Sequence, residues 1–352
     1  MTFLQALGWP ASLLFGAVVR LRAWCYRKGI LRVRRLNSVV VNVGNLTVGG
    51  TGKTPMVIWL VERLIARDKR VGVLTRGYHG FLSRLSRNAP RTQLGYHRPE
   101  LVYGDEVCLF LRRLPPPPQF MIGVGADRYA RGRELERQGV EWFVLDDGFQ
   151  HLQLARDVDI VLLDATEPFG GGHLLPAGRL REPKSALARA DMVVITRSSH
   201  APAVETIVQR YSNAPIFYAQ TELEGISRAM GVVVTPEPDW AAKKLFAFCG
   251  IGNPAAFFED LHRWGLQIAG TAVFRDHHHY SQRDADELER CALASGAEAL
   301  VCTEKDVFNL VHAQFRRLPV CCASISLRAA DADRFMETLM NLVREKRSQA
   351  AR

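Results

Sequence analysis

The sequence predicts an α/β fold, in which a larger domain built on a parallel sheet precedes a second, smaller α/β domain. From residue 38 onward, short β-branched runs alternate with helical stretches, and this alternation is typical of a parallel sheet covered by helices. Each run is almost continuously apolar, as expected for strands that are buried on both faces. The chain has 352 residues, of which 47% are hydrophobic and 23% are charged. It can therefore bury a sizeable core and is too apolar to be disordered.

Six apolar runs predict the strands of the first domain. They are bounded by helical stretches such as Met56–Ile65 and by loops such as the stiff proline run at residues 115–118. The predicted strands are Val39–Val43, Val71–Thr75, Phe120–Val124, Trp142–Leu145, Ile160–Leu163 and Met192–Thr196.

Proline-rich segments near residues 213–215 and 235–238 interrupt this pattern, and a second set of strands and helices follows. In the second set, Leu245–Cys249 and Ala299–Cys302 predict strands, and residues 331–346 predict a terminal helix. The predicted organisation is an N-terminal helix at residues 1–35, a core domain at 36–222, a linker at 223–243 and a C-terminal domain at 244–352.

The N-terminal segment combines an uncharged run with a cationic one. Residues 1–19 carry no charge and seven cations follow within residues 20–35, which is the reverse of the order in a secretory signal. The uncharged run is barely long enough to span a bilayer and contains polar residues, glycine and proline. It is therefore a poor candidate for a spanning helix.

Apolar residues in this segment recur at helical spacing. Leu14, Val18 and Leu21 stand at positions i, i+4 and i+7, and they lead into Trp24 and Tyr26 among arginines. This pattern predicts a helix that lies in a bilayer interface with its cations on phosphate headgroups. The alternative is an ordinary amphipathic helix packed on the domain.

The positive charge of the chain is concentrated at its N-terminus. The net charge is +10, residues 1–61 contain eight cations, and no acidic residue precedes Glu62. The rest of the chain carries only +2, since 10 − 8 = 2. This distribution argues against a general nucleic-acid binder and favours one basic patch that faces an anionic surface.

The cysteines do not indicate a disulfide framework or a zinc ribbon. There are seven of them, an odd number, and they form no C-x-x-C pair. A reducing cytosol is the expected setting.

The most specific motif predicts a nucleotide site. It is a P-loop that follows the strand Val39–Val43 and precedes the helix Met56–Ile65, as this motif requires. Its glycines let backbone N–H groups approach phosphate oxygens, Lys53 can reach the β- and γ-phosphates, and Thr54 can hold Mg²⁺. One departure from the usual pattern is Thr47, which stands where the first glycine is expected. The predicted ATP-binding residues are Thr47, Val48, Gly49, Gly50, Thr51, Gly52, Lys53 and Thr54.

Two carboxylates end a neighbouring strand. The run Trp142–Leu145 leads directly into Asp146 and Asp147, and a carboxylate at this position commonly holds or orients the metal of a P-loop enzyme. The alternative is that the acidic pair caps a helix. The polar, tightly turned sequence that follows favours the metal site, so we predict Thr54, Asp146 and Asp147 as Mg²⁺-binding residues.

Eight motifs in this order resemble the tetraacyldisaccharide 4′-kinase family, and the resemblance covers nearly the whole chain. It implies ATP-dependent phosphorylation of the 4′-hydroxyl of a lipid A disaccharide precursor, by a protein at the cytoplasmic face of a Gram-negative inner membrane. The N-terminal helix would then hold the protein there peripherally. The motifs are Asn42–Pro55, Thr75–Tyr78, Gly104–Glu106, Asp146–His151, Leu174–Gly178, Arg181–Pro183, Asp276–Tyr280 and Thr303–Asp306.

The resemblance assigns a catalytic pair. It implies that Asp105 is the base for the attacking hydroxyl and that His277 is its partner, with Lys53 as the third catalytic residue. From the sequence around it alone, Asp105 would be a helix cap. The adjacent histidines leave a second register open, in which His278 is the partner. A metal site on this histidine run is disfavoured, because neighbouring residues of a strand point to opposite faces.

The resemblance also implies further binding residues. Glu182 would support the Mg²⁺ site, and Arg181 and Arg128 would bind phosphate, for which the planar arginine fork is well suited. Surface positions for both arginines are the alternative. We also expect Arg76 and Gln150, from two of the motifs, to bind substrate, and Thr303–Asp306 to lie at the nucleotide end.

Two other functions remain open from the sequence. One is a P-loop kinase or NTPase that acts on another membrane or sugar substrate. The other is a nucleotide switch that binds membranes without transferring phosphate, for which an Asp105–His277 pair would be superfluous.

Overall fold

The computed structural model describes residues 3–77, 104–230, 233–236 and 240–350. These residues form two compact units. The first comprises residues 1–76, 114–221 and 327–352, and the second comprises 77–113 and 222–326, each within the described part of the chain. Both units are thus assembled from separate segments of sequence, whereas the sequence pattern predicted continuous domains.

The helices and strands are numbered in chain order. The helices are α1 (Phe3–Arg27), α2 (Lys53–Ile65), α3 (Asp105–Arg113), α4 (Arg128–Glu136), α5 (Pro202–Gln209), α6 (Pro254–Arg263), α7 (Gln282–Ala294), α8 (Glu304–Asn309) and α9 (Ala332–Ala350). The strands are β1 (Val39–Asn45), β2 (Val71–Thr75), β3 (Phe120–Val124), β4 (Trp142–Asp146), β5 (Val158–Asp164), β6 (Met192–Thr196), β7 (Ile216–Met230), β8 (Val233–Pro236), β9 (Lys244–Cys249), β10 (Gln267–Val273), β11 (Ala299–Thr303) and β12 (Val320–Ala329). Short 3₁₀ turns lie at Gly170–Gly172, Lys184–Arg189 and Trp240–Ala242.

The first unit is built on a parallel sheet in the order β3-β2-β4-β1-β5-β6-β7. Its central strand β1 is buried at every position, which explains the continuous apolar run in the sequence. Val43 of β1 lies opposite Asp146 of β4. Because both strands run in the same direction, the loop after β1 and the acidic pair at the end of β4 lie at the same edge of the sheet. The predicted α/β class with a P-loop is confirmed.

The second unit has a parallel sheet in the order β10-β9-β11-β12, and β8 pairs with β7 in antiparallel fashion. Residues 223–243, predicted as a linker, contain strand residues of β7 and β8. Trp240 in this segment is only 1% exposed and packs in one core cluster with Leu245 and Leu261. Pro236, one of the prolines that suggested a linker, thus lies in β8, a strand that pairs with β7.

Helix α1 has one packed face and one exposed apolar face. Ser12 and Gly16 are buried one turn apart, and the Ser12 hydroxyl donates to Leu174 O and accepts from Ala177 N, both at 2.9 Å. The apolar stripe predicted at Leu14 and Val18 is on the other face, where these side chains are 69% and 56% exposed. Among the described residues, no helix is long and apolar enough to cross a membrane.

Candidate active site

The loop between β1 and α2 has the backbone geometry that phosphate binding requires. Gly49 and Gly52 have φ angles of 119° and 80°, a region that glycine tolerates and other residues rarely adopt. Gly52 is the N-cap of α2, so the helix begins at Lys53 with its free amides at the loop. The first turn contains no acidic side chain. The helix N-terminus is therefore free to attract an anion.

Thr47 fits this loop although the usual motif has glycine there. Its backbone forms an antiparallel bridge with Leu180, and the neighbouring Val48 N donates to Arg179 O at 2.8 Å. Extended backbone of this kind suits any residue, and threonine favours it. The departure from the pattern is thus explained by a local strand pairing.

The loop's threonines are buried and held from two sides. Asn45 Nδ2 donates to Thr51 Oγ1 at 3.0 Å, and Thr196 Oγ1 donates to Thr51 O at 3.3 Å. Thr54, in the first turn of α2, is also buried. These contacts fix the loop to β1 and β6, so its amides are held in place before any ligand binds.

Asp147 stands at the edge of the sheet between two cations. Its carboxylate oxygens lie 2.9 and 2.7 Å from Arg181 Nη1, and its Oδ1 lies 3.6 Å from Lys53 Nζ. Burial alone would raise the pKa of this carboxyl, but Lys53 and Arg181 lower the pKa to about 2. Asp147 is therefore ionised at neutral pH. The structure brings these three predicted site residues together.

Asp146, Arg128 and Gln150 lie at the same edge. Asp146 is buried and accepts from Thr75 Oγ1 at 3.2 Å. Arg128 is buried at the start of α4 and donates to Asp146 O at 3.3 Å. Gln150 donates to Asn45 O at 3.0 Å. The alternative of a surface position for Arg128 is thus ruled out, since the residue is buried and its guanidinium donates to the end of β4.

Three arginines act on His151, the last residue of the acidic motif, and outweigh the one carboxylate, Asp127, that would raise its pKa. Burial lowers the pKa of this imidazole, and Arg128, Arg156 and Arg22 lower it further, to about 4. Arg22 belongs to α1 and Arg128 to α4, so cations from separate elements combine here. This region favours an anionic ligand.

Glu182, which is predicted to support the Mg²⁺ site, is buried and held by an arginine. Arg189 donates to both of its carboxylate oxygens, at 2.8 and 3.0 Å, and the Arg189 guanidinium also stacks 4.3 Å from the centre of the Phe149 ring. In the structure Glu182 is one half of a two-bond ion pair. Arg189 was not expected from the sequence, because it pairs seven residues away through a 3₁₀ turn that has no sequence periodicity.

The donors at this edge fit a hard cation. Thr54 supplies a hydroxyl and Asp146 and Asp147 supply carboxylates, which are the oxygen ligands that Mg²⁺ accepts beside phosphate and water. No group of three or more His, Cys, Asp or Glu side chains in the described ranges could hold a metal by protein ligands alone.

Asp105 and His277 meet in the second unit, although 172 residues separate them in sequence. His277 Nδ1 lies 2.8 Å from Oδ2 and 2.9 Å from Oδ1 of Asp105. Burial would raise the pKa of Asp105, but His277 and Lys305 lower it. Burial would lower the pKa of His277, but the Asp105 carboxylate raises it. Each group therefore stabilises the charged form of the other.

His278 does not face Asp105. Its Nε2 lies 3.1 Å from Asp284 Oδ2, and its ring stacks on Phe274. The histidine run is a turn and not the strand that we assumed from the sequence, and His277 has a left-handed φ of 58°. The structure thus selects His277 of the two registers that the sequence left open.

Asp105 is the first residue of α3 and also does part of what a helix cap does. Its Oδ1 accepts from Glu106 N at 2.9 Å, and its Oδ2 accepts from Asn309 Nδ2 at 3.4 Å. Asn309 was not expected from the sequence, and the only signal for it is its place three residues after Asp306 in one short helix. Arg76 follows β2 and is exposed, while Tyr78 of the same motif lies outside the described residues.

Comparison with known proteins agrees with these features. The model of the family described as "Tetraacyldisaccharide-1-P 4'-kinase" matches residues 4–344. The chain belongs to this family. The predicted family is therefore confirmed.

Curated members of the tetraacyldisaccharide 4′-kinase family are similar over most of their length. The chain is 40% identical to the tetraacyldisaccharide 4′-kinase of Geobacter sulfurreducens over 328 residues, which cover 92% of this chain and 88% of the relative. It is 38% identical to the one of Koribacter versatilis, with 96% and 99% covered. Among solved structures, LpxK from Aquifex aeolicus in complex with ATP is similar with a TM-score of 0.70 and 26% identity, covering 97% of this chain and 100% of that one.

Proposed function

We propose that this member of the tetraacyldisaccharide 4′-kinase family transfers the γ-phosphoryl group of ATP to the 4′-hydroxyl of a tetraacyldisaccharide 1-phosphate, a lipid A precursor. The observation that carries the proposal is the pair of buried Asp105 and half-buried His277 in a chain that also has a P-loop. A nucleotide switch needs the P-loop only. A phosphotransferase also needs a group that takes the proton of the attacking hydroxyl.

The P-loop would hold the triphosphate. The amides of Val48 to Gly52 and the N-terminus of α2 supply hydrogen bonds and positive potential, and the Lys53 ammonium is held near them by Asp147. This proposal is supported by the solved relative that contains ATP.

Thr54, Asp146 and Asp147 would hold Mg²⁺, with Glu182 as a supporting carboxylate held by Arg189. A bound Mg²⁺ would neutralise charge that develops on the phosphate oxygens. The low pKa of Asp147 keeps a carboxylate available for this at every physiological pH.

In the proposed reaction, the 4′-hydroxyl oxygen forms a bond to the γ-phosphorus while the bond from that phosphorus to the bridging oxygen of ADP breaks. The hydroxyl proton passes to Asp105. His277 donates from Nδ1 to the same carboxylate, so it orients Asp105 and limits the free energy cost of its burial. Negative charge on the transferred group would be met by Lys53, Arg128 and Arg181.

The acceptor is an anionic lipid, and the first unit offers cations to it. Arg22 and Arg128 both lower the pKa of His151. We propose that substrate is contacted by Arg128 together with Arg76, Gln150 and Arg181. The exposed apolar side chains of α1 support a peripheral position at the cytoplasmic face of the inner membrane. There the cationic side chains of residues 20–35 would face the anionic phosphates of the lipid headgroups.

A direct assay tests the proposal. Purified full-length protein is incubated with ATP, Mg²⁺ and a detergent-dispersed tetraacyldisaccharide 1-phosphate, and the lipid is analysed by mass spectrometry. We expect a product that is heavier by one phosphate, and its formation should be abolished by Lys53→Ala.

Matched acceptors separate the alternatives. A disaccharide 1-phosphate without acyl chains tests for a soluble sugar kinase, and ATP turnover without an acceptor tests for a switch. Phosphorylation of the soluble sugar at a rate equal to that of the lipid would reject the lipid substrate. ATP hydrolysis without any lipid product would reject the kinase assignment.

A further inference from the structure

Asp306 is a fully buried carboxylate that joins three parts of the second unit. Its Oδ1 accepts from Gly250 N and from the Tyr280 hydroxyl, both at 2.8 Å. Its Oδ2 accepts from Thr303 Oγ1 at 2.6 Å. A buried carboxylate with this many donors fixes the groups that it accepts from, because freeing any of them would leave a polar group unpaired.

The first of these groups leads directly to His277. Gly250 O accepts from His277 N at 2.9 Å. A Cβ on Gly250 would lie 2.9 Å from Arg275 O and 3.1 Å from His278 Cβ, so the turn at residues 275–278 is pressed against Gly250. His277 itself has a left-handed φ of 58°, which is uncommon for a residue other than glycine and is favoured here by the packing of the turn.

The helix that carries Asp306 also holds the partner of His277. In α8, Lys305 Nζ lies 2.7 Å from Glu106 Oε1, and Glu304 Oε1 accepts from Arg112 Nη2 at 2.9 Å. Both partners belong to α3, which begins at Asp105. Glu304 and Lys305 of this motif thus position α3. Asp306 of the same motif positions the turn of His277.

We propose that Asp306 is a positioning residue that holds His277 against Asp105 through Gly250 and Tyr280. Asp306 acts through His277 and does not itself contact the reacting groups. The role of Asp306 in catalysis rests on the proposed function. Its effect on the contact between His277 and Asp105 can be tested without any activity. The proposal also replaces our expectation from the sequence that Thr303–Asp306 lies at the nucleotide end.

The first test measures the protonation of His277 in the full chain by imidazole ¹⁵N NMR, with the signal assigned from a His277→Gln variant. The charged groups that face His277 are Asp105 on α3, Asp276 in its own turn and Lys305 on α8. If Asp306 holds the turn, Asp306→Ala should lower the pKa of His277, because its contact with the Asp105 carboxylate is weakened. Asp306→Asn keeps an oxygen for Gly250 and should shift the pKa less.

Two further variants test whether loss of folding, and not loss of positioning, explains a change in Asp306→Ala. Gly250→Ala leaves no buried carboxylate unpaired, yet its Cβ displaces the turn, so it should lower the pKa of His277 as Asp306→Ala does. The matched control is Glu289→Gln, which alters a buried carboxylate of the same unit that accepts from Arg316 N, Arg317 N and Leu318 N. It removes the charge but keeps the acceptor oxygen, as Asp306→Asn does, and it should not move the pKa of His277.

The second test measures kinetics. A displacement of about 1 Å at a catalytic group costs about 100-fold in rate, so Asp306→Ala and Gly250→Ala should lower kcat by about that factor with the KM for ATP unchanged. Asp306→Asn should recover part of the loss, and Glu289→Gln should retain wild-type kcat.

The outcomes are distinct for the two proposals. If the wild type phosphorylates the lipid while Asp306→Ala and Gly250→Ala keep both the pKa of His277 and kcat, the positioning role is wrong and the function stands. If the wild type has no kinase activity while these variants lower the pKa of His277, the positioning role stands and the proposed function falls. A shift as large in Glu289→Gln as in Asp306→Ala would also overturn the positioning role.

Discussion

Arg181 donates from a single nitrogen, Nη1, to both carboxylate oxygens of Asp147, at 2.7 and 2.9 Å. The same carboxylate lies 3.6 Å from the ammonium of Lys53. One anion thus orients a cation of the P-loop and a cation of a distant motif. This arrangement holds both positive groups at the strand edge where phosphate is expected, and it keeps Asp147 ionised.

Removal of Arg181 should reduce stability near neutral pH and have less effect in acid. The pKa of Asp147 is lowered from 3.8 to about 2, so its ionised form contributes about 2 kcal/mol of stability above pH 4, which is lost as the pH falls through 2. Arg181→Gln should raise this pKa and reduce the free energy of unfolding at pH 6. The difference from wild type should shrink towards pH 2.5.

Urea unfolding at pH 6, 4 and 2.5 measures this effect. Arg131→Gln is the control, because Arg131 forms an exposed ion pair with Glu134, and such pairs contribute little. A constant difference between Arg181→Gln and wild type at all three pH values would contradict the prediction.

Lys53→Ala and Thr54→Ala should each lower kcat by about 100-fold or more, because the transferred phosphoryl group loses its lysine or an anchor of its metal. Steady-state kinetics with the lipid acceptor measures the loss. Arg137→Ala, at an exposed position after α4, should retain activity. Wild-type kinetics in either P-loop variant would reject the assignment of the nucleotide site.

Asp105→Ala and His277→Ala should each lower kcat by about 100-fold to 10,000-fold, the range for general acid–base catalysis, with little effect on ATP binding. The double variant should lose less than the product of the two losses, since residues that act as a unit are not additive. Strictly multiplicative losses would show that the two residues act independently.

The pH dependence of kcat/KM adds a separate prediction. Burial raises the pKa of Asp105, whereas His277 and Lys305 lower it. Without His277, the rise that burial causes in the pKa of Asp105 is less compensated. This pKa should therefore increase, and the acid limb of the kcat/KM profile should move to higher pH. His277→Asn, compared with wild type between pH 4 and 9, tests this. An unmoved acid limb would leave Asp105 as a helix residue without a catalytic partner.

Truncation of residues 1–35, or the paired change Leu14→Gln and Val18→Gln, should weaken binding to anionic vesicles. The two side chains are exposed on α1, and each cation near the surface adds about 1 kcal/mol that salt screens. Co-sedimentation at low and high salt measures both contributions.

Ser12→Ala serves as the contrast in this experiment. Ser12 lies on the packed face of α1, where its hydroxyl contacts Leu174 and Ala177. Its removal should lower thermal stability and leave vesicle binding intact. Equal binding by the paired variant and wild type would indicate that α1 is only a packing element.

Local sequence was sufficient to predict the P-loop. Its glycines, its lysine and the flanking strand and helix are contiguous, and the backbone angles at Gly49 and Gly52 follow from residue type. The strands β1, β2, β4 and β6 were equally clear, because burial on both faces requires unbroken apolar runs, and β3 has such a run although two of its residues are only half-buried. In contrast β10, which is partly exposed along its length, lacks such a run and was not identified.

The pair Asp105 and His277 could be proposed only because of the family resemblance, since the adjacent histidines offered two registers. The choice between them depends on a left-handed turn at His277 and on the packing of that turn against Gly250. Those contacts arise between segments far apart in the chain. Asn309 and the network of Asp306 were missed for the same reason, whereas Arg189 was missed because it reaches Glu182 through a 3₁₀ turn that has no sequence periodicity.

The sequence by itself determined the α/β class, the nucleotide loop, the acidic strand end and the cationic apolar N-terminus, because each depends on neighbouring residues or on a short period. The tertiary structure decided which carboxylates meet cations, which histidine faces Asp105 and which face of α1 is packed. These features depend on long-range hydrogen bonds and ion pairs. Their partners are determined by the packing of strands and helices, and the local sequence pattern does not indicate them.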